Sequence, residues 1–281
     1  MIVTRFAPSP TGHLHLGHAY AACFAHDVAR RNSGQFLLRM EDIDLTRAKL
    51  AFEDAIREDL AWLGLHWDGP VLRQSTRFNS YRAALDRLKD EALLYPCFCT
   101  RSDIANEIAH AVEAPHGPEG PLYPGTCRAL SAAERKARIE SGAPYATRLD
   151  VGAVAKRLPT LTFHEDGEGP QHGEIVVDPL LFGDVVLARK DAPASYHLAV
   201  VVDDAFQDVT LVTRGEDLFA ATHIQRVLQA LLDLPVPSYA HHRLILDANG
   251  RKFSKRDQSV TLRALREAGK LQSDIFAVLR K

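Results

Sequence analysis

Short strand-like and helix-like hydrophobic patterns alternate in the first part of the chain. Residues 2–7 and 36–40 are mostly apolar, with the composition of buried strands. Apolar side chains also recur at helical spacing in two stretches, at Leu16, Tyr20, Cys23, Phe24 and Val28 and then at Phe52, Ile56, Leu60 and Leu63. The order strand, helix, strand, helix predicts a parallel sheet with crossover helices.

The pattern changes in the middle of the chain. Residues 113–125 are punctuated by proline and glycine, and residues 164–174 are polar and rich in glycine. Such punctuation is typical of loops and of a separate small module. We therefore predict that residues 95–191 are an insertion.

The alternating pattern returns near residue 196. Residues 198–202 and 209–212 are predicted to be buried strands, and residues 218–232 a helix. The sequence thus predicts an α/β nucleotide-binding fold of the Rossmann type, with its first half in residues 1–94 and its second half, ending in a short helical tail, in residues 192–281.

Composition narrows the class of protein. Among 281 residues, 34 are Lys or Arg and 36 are Asp or Glu, so the net charge of −2 argues against a generally basic, nucleic-acid-coating surface. An arginine and two prolines interrupt residues 1–12, where a signal peptide needs an apolar run, and no apolar run approaches a membrane span. Four cysteines, two of them as Cys97-Phe98-Cys99, fit a reducing compartment. We expect a cytoplasmic protein without a membrane partner.

Two histidines stand at the start of the first predicted helix. His15 and His18 are three residues apart, which places them on one face of the first turn. Gly12 and Gly17 permit close backbone approach, and a helix N-terminus favours phosphate oxygens. These features indicate a phosphate site, although two histidines that only cap the helix explain the same pattern.

A basic segment near the C-terminus makes the phosphate interpretation stronger. In residues 250–256, Phe253 and Ser254 interrupt four cations, and such a loop can reach triphosphate oxygens and balance their charge during displacement. Together, His15-Leu-Gly-His18 and Lys252-Phe-Ser-Lys-Arg256 resemble the HIGH and KMSKS signatures of class I aminoacyl-tRNA synthetases. The Leu, Phe and Arg depart from the family strings. The resemblance implies that His15, Gly17, His18 and Lys255 bind ATP with Mg²⁺. It also implies that four of the motif residues are catalytic: His15, His18, Lys252 and Lys255.

Four further blocks, residues 5–12, 39–44, 196–204 and 214–217, resemble those of glutamyl-tRNA synthetases in the same order. The resemblance implies a class I synthetase fold and assigns L-glutamate binding to six positions: Arg5, Ala7, Ser9, Glu41, Tyr196 and Arg214. The residue types suit that substrate. Two arginine forks match its side-chain carboxylate, a carboxylate matches its ammonium, and two hydroxyls orient it.

The predicted insertion contains a candidate metal site. Cys97, Cys99 and Cys127 offer three thiolates, which suit structural zinc. By chemistry alone, His110 or His116 is the more ordinary fourth ligand. The short relatives of glutamyl-tRNA synthetase carry a Cys-x-Cys, Tyr, Cys set here, and the resemblance implies that Tyr123 is that ligand. Buried free thiols are the alternative. Cys23 is expected to pack in the core, and His241-His242 has no interpretable partner.

Length and one substitution place the chain among those short relatives. Only 25 residues follow Arg256, whereas a domain that reads an anticodon needs about 50 to 200. Val200 stands where full-length members tend to have Asn. The resemblance implies transfer of glutamate to queuosine in the anticodon of tRNA(Asp). Because every proposed glutamate and ATP contact lies within this chain, we expect activation without tRNA, and we expect a monomer.

Three other interpretations remain open. The first is a minimal enzyme that charges a tRNA 3′ end, the second is a non-catalytic RNA-binding paralogue, and the third is a nucleotidyltransferase with an HxGH motif. The intact His15, His18 and Lys255 argue against the second, and the glutamate set argues against the third.

Overall fold

A parallel sheet with crossover helices forms the first third of the protein. The computed structural model describes residues 1–110, 116–189, 192–246 and 260–279. The first elements are β1 (Val3–Phe6), α1 (Leu16–Arg31), β2 (Gln35–Met40), α2 (Leu50–Trp62), β3 (Leu72–Arg73) and α3 (Phe78–Asp90). Strand β2 pairs in parallel with both β1 and β3. This confirms the predicted strand and helix order.

The middle of the chain adds an antiparallel sheet and two hairpins. Its elements are β4 (Leu94–Cys97), α4 (Arg101–His110), β5 (His116–Gly117), β6 (Gly120–Pro121), α5 (Ala132–Glu140), β7 (Ala146–Leu149), α6 (Val151–Ala155), β8 (Thr162–Glu165), β9 (Gly173–Val176) and β10 (Val186–Ala188). Strand β7 lies between β4 and β10 and is antiparallel to both. The polar stretch predicted as a loop at residues 164–174 connects and partly forms the β8–β9 hairpin.

The last part completes a second sheet. Its elements are α7 (Tyr196–Phe206), β11 (Leu211–Gly215), α8 (Ala221–Leu231), β12 (Ser238–His242), α9 (Leu262–Glu267) and α10 (Gln272–Leu279). The strands of this sheet lie in the order β11, β12, β8, β9, so the middle hairpin extends a sheet built by the last part. Strand β1 lies beside β11, where the N–H of Thr210 donates to the carbonyl of Val3 over 3.1 Å.

One predicted strand is a helix. Residues 198–202 lie inside α7, and Leu198, Ala199, Val200 and Val201 are each no more than 2% exposed. Helix α7 packs against α3, α8 and β10, so nearly every side chain of this run is buried. A helix buried on all sides loses its polar face, and its apolar run then looks like a buried strand.

Two large apolar clusters form the core. One packs α1 and α2 against the first sheet around Phe36, Leu38 and Ile56, and the other surrounds α7 and α8 around Leu198 and Val227. Within the described ranges, no helix combines the length and the apolar character needed to cross a bilayer.

Candidate active site

His15 and His18 lie at the start of α1, where the chain arrives from β1. His15 is the N-cap of α1, and its Nδ1 accepts from the backbone N–H of Gly17 over 3.2 Å. The Nδ1 of His18 accepts from the N–H of His15, also over 3.2 Å, and the ring centroids are 3.8 Å apart. A neutral imidazole whose Nδ1 accepts carries its proton on Nε2. Capping therefore makes both Nε2 atoms donors, so the two interpretations of this motif are compatible.

Gly17 allows the two rings to come this close to the helix. A Cβ at Gly17 would lie 3.1 Å from Cε1 of His15, tighter than ordinary van der Waals contact. Glycine at this position therefore lets the His15 ring lie against the N-terminus of α1, where an anion is favoured.

The chain returns to this turn directly after the basic segment. Thr261 forms an isolated antiparallel bridge with His15, and the N–H of Leu262 donates to the carbonyl of Leu14 over 2.8 Å. Lys252 and Lys255 themselves lie outside the described residues.

Arg5 lies at the centre of a buried ion cluster. Its Nε and Nη2 donate to Asp204 over 2.9 and 3.4 Å, and its Nη1 donates to the carbonyl of Thr213 over 3.2 Å. Asp204 also accepts from Arg39 over 2.8 Å, and Arg5, Arg39 and Asp204 are each at most 7% exposed. Burial opposes ionisation of Asp204, but the two arginines hold its pKa below the usual range. The charge of Arg5 is thus largely balanced inside the protein.

Glu41 and Ser9 lie together beside this cluster. The hydroxyl of Ser9 donates to the carbonyl of Glu41 over 2.7 Å, and the Glu41 carboxylate lies 3.6 Å from Nη2 of Arg39. Burial raises the pKa of Glu41, although Arg39 and Arg5 oppose the shift. An added cation would therefore stabilise its charged form. Ala7, which is half-buried, directly follows β1 on the way to Ser9.

Arg214, at the end of β11, has no carboxylate among its hydrogen-bond partners in the described part of the chain. Its Nη1 donates to Gln225 over 2.7 Å and to the Tyr196 hydroxyl over 3.4 Å, and its Nη2 donates to Thr222 over 2.7 Å. Its Nε donates to His241 over 3.1 Å. The two predicted arginine forks lie on neighbouring strands, because β1 lies beside β11.

The three predicted cysteine ligands come together at the end of β4. The Sγ atoms of Cys97, Cys99 and Cys127 lie within 4.8 Å of one another, a group that can hold a metal ion. The Tyr123 hydroxyl lies 3.6 Å from Sγ of Cys99 and accepts from the N–H of Cys127 over 2.8 Å. His116 lies on β5 outside this group, and the side chain of His110 lies outside the described residues.

Several residues that support the site have no role in the sequence predictions. Asp204 and Arg39 lie inside the blocks that resemble glutamyl-tRNA synthetases. The sequence feature that could have identified them is a charged residue in a mostly apolar segment. Thr222 and Gln225 face Arg214 from α8. His241 contacts Glu165, which is distant in sequence and is brought to it by the fold.

Residues 1–281 match the family model for the catalytic domain of class I tRNA synthetases (E and Q). The chain is 50% identical over 280 residues to the glutamyl-Q tRNA(Asp) synthetase of Rhodobacter capsulatus, covering 98% of each chain. It is 40% identical to the glutamate–tRNA ligase of Aquifex aeolicus, covering 99% of this chain and 56% of that protein.

A solved structure agrees with these relationships. The glutamate-tRNA synthetase of Elizabethkingia anophelis superposes with a TM-score of 0.75 at 30% identity, covering 91% of this chain and 53% of the other. The chain thus spans about half the length of this glutamate-tRNA synthetase and nearly all of its relative from Rhodobacter capsulatus.

Proposed function

This chain belongs to the catalytic-domain family of the class I tRNA synthetases for glutamate and glutamine, and we propose that it activates L-glutamate with ATP and transfers the glutamyl group to queuosine in tRNA(Asp). The membership makes it an aminoacyl-tRNA synthetase ligase. Similarity to a glutamyl-Q tRNA(Asp) synthetase over 98% of both chains is the observation that carries the acceptor assignment.

The charge arrangement of the pocket supports glutamate as the amino acid. Asp204 neutralises Arg5, whereas Arg214 has neutral hydrogen-bond partners in the described structure. Arg214 is therefore the stronger attraction for a substrate side-chain carboxylate, and Arg5 supports it from the neighbouring strand. Glu41 suits the substrate ammonium, while Ser9 and Tyr196 orient the bound amino acid.

Activation joins glutamate to AMP. An oxygen of the α-carboxylate attacks the α-phosphorus of ATP, the bond from that phosphorus to the bridging oxygen breaks, and pyrophosphate leaves with its electron pair. His15 and His18 donate from Nε2 to phosphate oxygens at the N-terminus of α1. Lys252 and Lys255 balance the charge of the leaving group, and Mg²⁺ bound with ATP supplies further neutralisation.

Transfer uses a hydroxyl of the cyclopentene diol of queuosine. Its oxygen attacks the carbonyl carbon of the adenylate, the bond to the phosphate oxygen breaks, and AMP leaves. The hydroxyl proton passes to solvent water in the same step. The products are a glutamyl ester of the modified base and free AMP.

The cysteine group fits a structural zinc ion. Three sulfur donors within 4.8 Å of one another, with the Tyr123 hydroxyl 3.6 Å from Cys99, provide four donors. Zinc with four protein ligands has no open position for a substrate. Zinc there would fix the end of β4 to the turn at Tyr123 and Cys127, so its role would be structural.

Metal analysis tests this site. Protein purified without chelators should contain one zinc per chain, and Cys127→Ser should lose it. Tyr123→Phe should weaken zinc binding. Full zinc affinity in Tyr123→Phe would instead direct attention to His110 or His116, and a zinc-free wild-type protein would contradict the site.

Pyrophosphate exchange tests amino-acid activation. The protein should exchange pyrophosphate into ATP with glutamate alone, at rates well above those with glutamine or aspartate. An absolute requirement for tRNA, or a preference for aspartate, would contradict the proposed pocket.

The acceptor is tested with two preparations of one tRNA. Radiolabelled glutamate should be transferred to tRNA(Asp) that contains queuosine and not to tRNA(Asp) from cells unable to make queuosine. Equal acceptance by both RNAs would favour charging at the 3′ end.

A further inference from the structure

Glu165 has an unusually complete set of hydrogen-bond donors for a carboxylate so deep in the protein. It ends β8 and is 1% exposed. Its Oε1 accepts from the backbone N–H of Gly167 over 2.9 Å and from that of His241 over 2.8 Å. Its Oε2 contacts Nδ1 of His241 over 2.6 Å. Hydrogen bonds to the charged form outweigh the cost of burial and lower the pKa of Glu165, so the carboxylate is ionised at neutral pH.

Gly167 is required for this arrangement. A Cβ at that position would lie 2.4 Å from the carbonyl oxygen of His241 and 2.5 Å from Oε1 of Glu165. No side chain fits at these distances. The turn after β8 is therefore shaped around the Glu165 carboxylate.

His241 connects this carboxylate to Arg214. The Arg214 guanidinium has only N–H donors, so Nε2 of His241, 3.1 Å away, must accept and carries no proton. The proton of a neutral ring then lies on Nδ1 and is donated to Glu165. The partners on both sides thus fix one tautomer. Phe219 and Tyr239 lie against the ring at centroid distances of 5.2 and 6.2 Å and restrict its rotation.

Arg214 is held in a defined plane by these contacts. Its four hydrogen bonds to described residues use four of its five N–H groups, and the bond to Tyr196, at 3.4 Å, is the longest. The remaining N–H and the weakly held one are the donors that a carboxylate can take. Their direction depends on the bond from Nε to His241, because rotation of the guanidinium would break that bond.

We propose that Glu165 and His241 are positioning residues that orient Arg214 for the side-chain carboxylate of the amino-acid substrate. This inference rests on the proposed function of the pocket. A guanidinium fixed in direction recognises a carboxylate at one distance from the reacting end of the substrate. Because aspartate is one methylene shorter than glutamate, the same pair contributes to discrimination between them.

The direction of the hydrogen bonds makes Glu165→Gln informative. If the amide oxygen replaces Oε1, the amide NH₂ faces Nδ1 of His241, which must then move its proton to Nε2 and point a donor at Arg214. If the oxygen faces Nδ1 instead, the NH₂ faces two backbone N–H donors. Either orientation opposes two donors, although the side chain keeps its size and shape.

Two substitutions of His241 separate the effect of its hydrogen bond to Arg214 from the effect of its bulk. Asn places an amide donor near the position of Nδ1 and keeps the contact with Glu165, but it has no acceptor near the position of Nε2. Gln can place its carbonyl oxygen near the position of Nε2 and keep the contact with Arg214. His242→Asn is the matched control, because His242 is the next residue on β12, is 6% exposed, and packs on Tyr20 instead.

The assay is glutamate-dependent pyrophosphate exchange, with KM measured separately for glutamate and for ATP. Glu165→Gln and His241→Asn should raise the KM for glutamate about tenfold, the effect of one hydrogen bond to a charged group. The KM for ATP and kcat should stay within about twofold. His241→Gln should recover most of the loss, and His242→Asn should leave the KM for glutamate unchanged.

Other outcomes overturn the proposal. Equal increases in both KM values, or equal behaviour of His241→Asn and His241→Gln, would reduce the pair to a structural role. The ring tautomer of His241, measured by ¹⁵N NMR on the resting full-length protein, is a test that needs no activity. A proton on Nε2 in the wild type would refute the hydrogen-bond chain from Glu165 through His241 to Arg214, even if the protein activates glutamate. Wild-type protein that shows the expected tautomer but no glutamate exchange would contradict the proposed function and the substrate-positioning role, leaving only the hydrogen-bond chain.

Discussion

Replacing Asp204 by Asn should be one of the most destabilising conservative changes in this protein. The Asp204 carboxylate is 7% exposed and receives hydrogen bonds from two arginines that are 5% and 0% exposed. Asn keeps the shape but removes the negative charge, and its NH₂ opposes a guanidinium donor. Breaking a buried ion pair by removing one partner typically costs about 3–5 kcal/mol. With two arginines affected, we expect a loss in that range.

Urea denaturation followed by fluorescence of the two tryptophans measures this loss. Asp233→Asn is the control, because Asp233 pairs with Arg87 at the surface with 79% of its side chain exposed, and such pairs contribute about 0–1 kcal/mol. A loss below about 1 kcal/mol for Asp204→Asn, with an unchanged m-value, would refute the view that this carboxylate balances the buried arginines.

Three further predictions concern other parts of the molecule. Gly34→Ala should destabilise the fold by about 1–3 kcal/mol in urea denaturation, because the new Cβ would lie 2.1 Å from a backbone carbonyl, whereas Gly169→Ala meets no atom within 4 Å and should be neutral. Burial, aided by a nearby arginine, lowers the pKa of His197 to about 4. As the pH falls, His197 is protonated in the unfolded chain before it is protonated in the folded protein, so the stability present above pH 6.5 should be lost as the pH falls toward 4. Unfolding curves of His197→Phe should show a weaker pH dependence than those of the wild type. An identical pH dependence would contradict this prediction. His15→Ala and His18→Ala should each slow pyrophosphate exchange about 10²-fold at a temperature at which both variants stay folded, although the lost cap costs about 0.5–2 kcal/mol of stability. A fall in exchange that merely follows unfolding would indicate capping alone.

The elements of the first sheet could be predicted because local pattern and fold agree there. Helices α1 and α2 each bury one stripe, which leaves a helical period in the sequence, and strands β1 and β2 are buried at most positions, which leaves short apolar runs. Helix α7 could not be predicted, because its burial on nearly all sides erased the period. Strands β8 and β9 flank the polar stretch and carry polar residues or glycine at half or more of their positions, so no apolar run marks them.

The candidate site divides in the same way. Residues that would contact substrate, such as Arg5 and Arg214, lie in contiguous motifs and could be named from the sequence. Residues that hold them in place are separated along the chain: Asp204 lies 199 positions from Arg5, and Glu165 lies 76 positions from His241. Nothing in the local sequence announces such pairs. The tandem His241-His242 had no interpretable partner because that partner is supplied by β8.

The strand order β11, β12, β8, β9 also limits where this protein can be recombined with its relatives. The cysteine-bearing sheet, β4, β7 and β10, invites exchange as a cassette. A chimera cut at the outer ends of the whole middle segment would also remove β8, and with it the carboxylate that contacts His241. Exchange from β4 to α6 ends before β8 and keeps that strand with its sheet, although β10 then stays with the recipient protein. Swaps of the cysteine-bearing part that respect this boundary should leave amino-acid choice intact, because they keep Glu165 with His241.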